Sequence, residues 1–116
     1  MNRVLLVDDD RAVVFGYRTE MEIEGLKVDS AYTLDDAEQF IRAHIYRAVI
    51  TDLNLSGKMD LEGIKVVKSV RQHQPESVII AVTGISDEDV KKRVLDAGAR
   101  HYLEKPVEAR SIIKLI

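Results

Sequence analysis

Three short apolar runs, separated by longer stretches with helical spacing, constrain the fold of this chain most. The runs are Val4–Val7, Ala48–Thr51 and Val78–Val82. Nearly continuous apolar runs of this length are typical of strands that are covered on both faces, as in a parallel sheet. Their alternation with helical segments predicts repeated βα units and therefore an α/β fold.

Two weaker strands, at Lys27–Ala31 and His101–Leu103, bring the predicted sheet to five strands. The first helix is expected to begin near Asp10, because a carboxylate is a favoured N-cap, and to end before Gly25. Apolar residues with helical spacing form the inner face of this helix. They are Val13, Val14, Tyr17 and Met21.

Capping residues and apolar stripes mark the remaining helices. Thr33 followed by Asp36 resembles a capping box at the start of the second helix. Ser86 and Asp89 are expected to open the fourth helix, and the fifth is expected to run from near Glu108 to the last residue. The stripes of the second to fourth helices are Leu34, Ala37, Phe40 and Ile41; Leu61, Ile64, Val67 and Val70, before Pro75; and Val90, Val94 and Leu95, before Gly98.

Composition restricts the class of protein. The chain has 116 residues, which fits one domain, and 46% of them are hydrophobic. A net charge of -3 offers no basic surface for phosphates, so no direct nucleic-acid binding is expected. The absence of cysteine excludes disulfides and thiol catalysis. No apolar stretch is long enough to span a bilayer and no signal-peptide pattern opens the chain, so we expect a cytoplasmic protein without membrane contact.

Acidic residues directly follow two of the three strong strands. Asp8 and Asp9 come after the first strand, and Asp52 comes after the third. Open parallel sheets bind ligands at the carboxyl ends of their strands, so the three carboxylates converge there if these strands are neighbours. Like charges so close raise one another's pKa unless a cation neutralises them. The cluster therefore predicts a hard divalent cation such as Mg2+.

Two further strand ends carry groups that suit a phosphate. Thr83 follows the fourth strand and Lys105 the fifth. A hydroxyl and an amine beside a magnesium site would bind phosphoryl oxygens, and a carboxylate can itself be the nucleophile that forms an aspartyl phosphate. Each residue also has a structural alternative: Asp52 as a turn residue, Thr83 as a hydroxyl that satisfies the backbone, and Lys105 as a solvated cation. Asp10 is expected only to cap the first helix.

The strand-end motifs occur together in the order and spacing of a known family. The motifs are Val7-Asp8-Asp9, Asp52, Thr83-Gly84 and Lys105-Pro106. Through them the chain resembles the receiver domains of bacterial two-component response regulators over residues 1–116. The resemblance implies a flavodoxin-like, doubly wound fold with a parallel five-stranded sheet in the order 2-1-3-4-5. It also implies phosphoryl transfer from a phosphohistidine on a sensor histidine kinase or a phosphotransfer protein, with Mg2+ as the cofactor.

The resemblance implies a role for each acidic residue. Asp52 would be the phospho-acceptor. Asp9, Asp52 and the backbone carbonyl of Asn54 would bind the magnesium ion directly, and Asp8 would bind it mainly through water.

The resemblance also implies the residues that contact the phosphoryl group and transmit its presence. Thr83 and Lys105 would contact the phosphoryl oxygens, with Lys105 aimed at the site by a cis peptide bond to Pro106. Thr83 and Tyr102 would form the switch. The alternative for Tyr102 is a packed aromatic residue with its hydroxyl at the surface.

The chain departs from the family pattern after Asp52. The family usually places a proline and then a glycine there; this chain has Ser56 at the proline position and reaches its glycine, Gly63, a few residues later. We therefore expect the segment Ser56–Asp60 to protrude beside the site and to affect partner contacts rather than chemistry. Ile85, two residues past Thr83, is apolar and stands at a place where a side chain can modulate the access of water to the phosphoryl group.

Two other functions use the same residues. Phosphatases of the haloacid dehalogenase type also form an aspartyl phosphate, but they need an acid where this chain has Asn54, and a cap for which it is too short. A pseudo-receiver would bind partners without phosphorylation, although every residue that the chemistry needs is present. We therefore expect a domain that catalyses only its own phosphorylation and autodephosphorylation and is not an enzyme.

The C-terminal residues are more apolar than one inner helix face requires. Ile112, Ile113, Leu115 and Ile116 all lie in the predicted fifth helix. This excess predicts that the native chain continues past Ile116 into an effector domain, or that the last helices form a homodimer.

Overall fold

In a computed structural model that describes residues 2–56 and 61–116, strands and helices alternate along the chain. The strands are β1 (Arg3–Val7), β2 (Lys27–Ala31), β3 (Ala48–Thr51), β4 (Val78–Thr83) and β5 (His101–Glu104). The helices are α1 (Arg11–Ile23), α2 (Leu34–Ala43), α3 (Glu62–His73), α4 (Glu88–Ala97) and α5 (Ala109–Ile113). The predicted alternation is confirmed.

The strands form one parallel sheet in the order β2-β1-β3-β4-β5, which confirms the predicted topology. The register aligns the carboxyl ends of the central strands. Val7 is opposite both Ala31 and Thr51, and Thr83 is opposite Glu104. Residues that follow the strands therefore meet at one edge of the sheet.

Each face of the sheet is covered by a separate layer of helices. Alternate residues of β1 enter the two layers, as the period of a strand requires. Leu5 and Val7 join the cluster under α2, α3 and α4, whereas Val4 and Leu6 join the cluster under α1 and α5. In the part of the chain that the structure describes, no helix has the length and apolar character needed to cross a bilayer.

The predicted starts of the first two helices are confirmed. The Asp10 carboxylate accepts hydrogen bonds from the backbone N–H groups of Ala12 (3.0 Å) and Val13 (3.3 Å). The Thr33 hydroxyl accepts one from the N–H of Asp36 at 3.1 Å. These bonds satisfy N–H groups that have no partner inside the helix.

The start of α4 corrects the prediction. The N-cap is Asp87 rather than Ser86, because the Asp87 carboxylate accepts hydrogen bonds from the N–H groups of Asp89 (2.8 Å) and Val90 (3.1 Å). Leu95, expected on the inner face, is 38% exposed. It lies one residue, and so about 100° of helical rotation, past the buried Val94.

The predicted extent of the fifth helix is also wrong. Regular helix ends at Ile113 rather than at the last residue. The N–H of Leu115 donates to the carbonyl of Ile112 (2.9 Å), and that of Ile116 to the carbonyl of Ile113 (3.1 Å). Such tighter bonds between residues three apart are a common way to satisfy carbonyls at a helix end.

The connection between β3 and α3 also differs in part from the prediction. Residues 57–60 of the segment expected to protrude lie outside the described residues. Leu61, predicted as the first inner residue of the third helix, is instead its N-cap, with a left-handed φ of 54°. The helix starts at Glu62.

A polar network lies at the opposite end of the sheet from the acidic strand ends. The Tyr46 hydroxyl and the Arg3 guanidinium each donate to Oδ2 of Asp29 at 2.8 Å. The backbone N–H of Tyr46 donates to the side-chain carbonyl of Gln74 at 2.7 Å. Tyr46 is 1% exposed, so this network provides a hydrogen-bond partner for a hydroxyl group on a buried side chain.

Candidate acidic phosphoryl site

The ends of β1 and β3 bring three carboxylates together. Oxygen atoms of Asp8, Asp9 and Asp52 all lie within 4.8 Å of one another. The two strands are neighbours, and the N–H of Asp52 donates to the carbonyl of Val7 at 2.8 Å. The predicted convergence of these carboxylates is therefore confirmed.

Lys105 bridges two of the carboxylates. Its amine lies 2.9 Å from Oδ2 of Asp8 and 3.2 Å from Oδ2 of Asp52. The side chains of Asp8 and Asp52 are only 10% and 13% exposed, so the amine compensates charge in a poorly solvated place. The peptide bond between Lys105 and Pro106 is cis, as predicted.

Burial and the bridging contacts shift the pKa values of this pair. Burial raises the pKa of Asp8, although hydrogen bonds from the N–H of Asp10 and from Lys105 offset part of the rise. Burial alone would lower the pKa of Lys105, but the contacts with Asp8 and Asp52 outweigh it and raise that pKa. The amine is therefore a cation at neutral pH.

The backbone orients the carboxylate of Asp52. Its Oδ1 accepts hydrogen bonds from the N–H of Leu53 (2.6 Å) and the N–H of Asn54 (3.4 Å). Its Oδ2 faces the amine of Lys105. The side-chain carbonyl of Asn54 accepts a bond from the N–H of Leu61 at 3.4 Å, which ties the loop after Asp52 to the start of α3.

Thr83 lies at the end of β4 and is fully buried. Its hydroxyl accepts a hydrogen bond from the N–H of Ile85 at 3.3 Å. Its backbone carbonyl accepts one from the N–H of Lys105 at 2.8 Å. The end of β4 therefore helps to hold the residue that bridges the carboxylates.

The hydroxyl of Tyr102 makes a partly buried hydrogen bond to the backbone of another segment. It donates to the backbone carbonyl of Ile85 at 2.7 Å, in the loop between β4 and α4. Burial is the largest cause that raises the pKa of Tyr102, so the phenol stays protonated and can donate. This contact joins β5 to the loop that follows Thr83.

Sequence reasoning missed two contacts around the site. The Tyr17 hydroxyl donates to the carbonyl of Val107 at 2.7 Å. The guanidinium of Arg11 lies 4.0 Å from the centre of the Tyr32 ring, a distance at which a cation interacts favourably with an aromatic face. Neither pair is close in the sequence, so no local pattern could have predicted them.

The cluster has the donors and the charge that a magnesium ion requires. Carboxylate oxygens are hard ligands, and three of them face the single amine of Lys105. With the carboxylates ionised, two negative charges remain uncompensated by that amine. The residues therefore fit a divalent cation bound through oxygen.

Comparison with known sequences decides the family. The model of the response regulator receiver domain family matches residues 4–116. The chain belongs to this family. Receiver domains are components of two-component response regulators, so the predicted family is confirmed.

Individual relatives agree with the family. The chain is 32% identical over 114 residues to the transcriptional regulatory protein DltR of Streptococcus agalactiae. The match covers 98% of this chain and 50% of DltR, so the chain spans about half the length of that relative.

Solved receiver structures share the fold. A CheY-like receiver domain from Methanospirillum hungatei has a TM-score of 0.90 and 29% identity, and the match covers 98% of this chain and 89% of that domain. The beryllofluoride-activated receiver domain dimer of NtrC4 has a TM-score of 0.86 and 29% identity, with coverage of 99% and 93%.

Proposed function

We propose that this receiver domain accepts a phosphoryl group on Asp52 in a magnesium-dependent reaction. The donor would be a phosphohistidine on a sensor histidine kinase or a phosphotransfer protein. The observation that carries the proposal is the contact of Lys105 with both Asp8 and Asp52 inside a three-carboxylate cluster. Such a group of charges is costly to bury and is suited to a ligand that is both anionic and bound to a metal.

Asp52 is the best-placed nucleophile among the three acids. Its Oδ1 is fixed by two backbone N–H groups, which leaves Oδ2 directed toward Lys105. Asp8 is also close to the lysine, but burial raises its pKa and its Oδ1 accepts from the N–H of Asp10. Asp9 is exposed, on the outer side of the cluster.

Asp8, Asp9, Asp52 and the backbone carbonyl of Asn54 would hold the magnesium ion. When bound, the ion supplies positive charge that neutralises the carboxylates and the phosphoryl oxygens. The protein would orient these oxygen ligands through the strand ends of β1 and β3.

The chain's own residues would carry out the transfer mainly by positioning and charge. A carboxylate oxygen of Asp52 forms the new bond to phosphorus as the phosphorus–nitrogen bond of the donor breaks. The imidazole leaves with the electron pair of that bond and takes up a proton. The Lys105 cation and the Thr83 hydroxyl would bind phosphoryl oxygens, since Lys105 lies 3.2 Å from Asp52 and Thr83 ends β4, the strand next to β3.

The reaction would change the domain itself rather than a separate substrate. We expect self-phosphorylation and autodephosphorylation only, so the domain would not be an enzyme. Asn54 stands where a haloacid dehalogenase phosphatase needs its general acid, which disfavours that alternative.

The output would be a change in partner binding. Thr83 and the Tyr102–Ile85 hydrogen bond would couple the phosphoryl group to α4, β5 and α5. The name of DltR as a transcriptional regulator supports an effector domain beyond Ile116, and the NtrC4 receiver dimer supports a homodimer through the last helices. We propose a cytoplasmic location, which suits both an effector domain and a homodimer.

The proposal can be tested with phosphoramidate, a small donor with a phosphorus–nitrogen bond. Intact mass should show one added phosphoryl group in the presence of Mg2+ and very little when EDTA replaces it. An unmodified mass with several small donors would contradict phosphoryl acceptance. An adduct that forms equally fast in EDTA would contradict the magnesium requirement alone.

A further inference from the structure

Tyr17 joins α1 to the turn that carries Lys105. Its hydroxyl donates to the backbone carbonyl of Val107 at 2.7 Å, across 90 positions of sequence. Val107 lies just beyond the Lys105–Pro106 pair, before α5 begins. A side chain on one helix therefore fixes the backbone immediately after the lysine of the acidic site.

Tyr17 also lies directly beneath the acidic cluster. With Asp8, Asp52 and apolar core residues, it lines a small cavity of about 10 Å³. Burial raises the pKa of Tyr17. The charge of Lys105 offsets part of this rise, and the charges of Asp8 and Asp52 add to it. The phenol is therefore a neutral donor within electrostatic reach of the site.

The Tyr17 bond complements a backbone bond on the other side of Lys105. Before the turn, the N–H of Lys105 donates to the carbonyl of Thr83 at 2.8 Å. After the turn, α5 covers only Ala109–Ile113, and its N-cap Glu108 makes no side-chain capping hydrogen bond. A helix this short contributes little rigidity of its own, so a side-chain anchor at Val107 matters.

We infer that Tyr17 is a positioning residue for Lys105. By holding the carbonyl of Val107, it keeps the lysine amine between Asp8 and Asp52, where the phosphoryl group would be bound. The inference rests on the proposed phosphoryl transfer for its effect on rate, but its effect on the turn is independent of that transfer. A misplacement of about 1 Å can slow a reaction roughly a hundredfold, so we expect a loss of about tenfold from removal of one anchoring bond.

The test compares Tyr17→Phe with Tyr46→Phe. Each substitution removes one hydroxyl from a buried or half-buried ring and keeps the ring itself. Tyr46 donates to Asp29 at 2.8 Å at the far end of the sheet, so its loss lowers stability without touching the turn. The rate of phosphorylation by acetyl phosphate with Mg2+ should fall about tenfold in Tyr17→Phe and stay unchanged in Tyr46→Phe.

Amide hydrogen exchange supplies a readout that does not depend on phosphorylation. Protection of the Lys105 amide, relative to the amides of β1, should fall in Tyr17→Phe and not in Tyr46→Phe. Unchanged relative protection, or equal rates for Tyr17→Phe and the unmodified protein, would overturn the inference. If the unmodified protein is not phosphorylated at all, the proposed function fails, while exchange still decides whether Tyr17 holds the turn.

A second background separates positioning from general stability. If Tyr17 acts through the lysine amine, the factor by which Tyr17→Phe slows phosphorylation should be smaller in a Lys105→Ala protein. The reason is that the effects of substitutions at coupled residues do not add. The same slowing factor in both backgrounds would show that Tyr17 acts by another route and would also overturn the inference.

Discussion

Gly63 donates its backbone N–H to the carbonyl of Leu53 at 2.9 Å, so the first turn of α3 rests on the residue that follows Asp52. A Cβ atom built on Gly63 would lie 2.6 Å from the Cα of Leu53, closer than real Cβ atoms approach. Only glycine permits this approach of helix and strand end. The packing of α3 therefore affects the geometry of the proposed acceptor.

Gly63→Ala is expected to destabilise the protein by about 1–3 kcal/mol, the usual cost of overpacking a core. The backbone atoms that the new Cβ meets cannot move aside as a flexible side chain could. Gly16→Ala is the matched control, because nothing lies within 4 Å of its Cβ position in α1. Replacing this helical glycine should stabilise by about 0.5–1 kcal/mol. Urea denaturation of both variants measures the difference; equal effects would contradict this account of Gly63.

Asp29 is expected to make stability depend on acid pH. Burial alone would raise its pKa, but hydrogen bonds from Arg3 and Tyr46 outweigh burial and lower the pKa from its ordinary value of 3.8. A carboxylate whose pKa is lower in the folded state contributes stability above the unfolded value, and this is lost as the pH falls through the folded value. The stability advantage over Asp29→Asn should therefore be constant at neutral pH and shrink below about pH 3.8. Chemical denaturation across this range checks it; an advantage that persists unchanged at pH 2 would refute it.

Asp9→Asn should weaken magnesium binding, since it removes one of the three clustered carboxylates. Asp10→Asn is the matched control, because it removes the same charge from the next residue and keeps a side chain that caps α1 well. Magnesium titration followed by NMR chemical shifts of the strand-end amides measures the affinity. Equal affinities in the two variants would show that a general negative field, rather than this cluster, attracts the ion.

Thr83→Ala should uncouple the α4, β5 and α5 face from the site. A phosphoryl group shifts the equilibrium between two conformations of the domain only if it binds one of them better. A hydrogen bond to the Thr83 hydroxyl would supply that preference. Amide exchange of this face is compared with and without beryllofluoride, a stable phosphate mimic. Thr83→Ser keeps the hydroxyl and should respond like the unmodified protein. Equal responses in the alanine variant would rule out the Thr83 relay.

The strand positions and the acidic cluster could be predicted because their signals are local. Short apolar runs identify β1, β3 and β4, and the acids follow two of these runs directly. The family resemblance then supplied the strand order. The sequence does not fix the start of α4, because Ser86 and Asp87 are adjacent residues of types that both cap helices.

The contacts that could not be predicted join residues that are distant in the sequence. Tyr17 meets Val107, and Tyr46 meets Asp29, only once the helices have packed on the sheet. Tyr17 fits the core stripe of α1 equally well without a partner for its hydroxyl, and Tyr46 lies in the connection between α2 and β3, where no helical or strand period applies. Sequence periodicity identifies the buried face but not the acceptor that the hydroxyl reaches.

Locating the phosphorylated residue tests the role of Asp52 as acceptor more directly than any other experiment. The unmodified protein and Asp52→Asn are incubated with acetyl phosphate and Mg2+, and their intact masses are measured over time. We expect one added phosphoryl group in the unmodified protein and none in Asp52→Asn, with both proteins equally folded by circular dichroism. An adduct of the same mass in Asp52→Asn would contradict the role of Asp52 as acceptor.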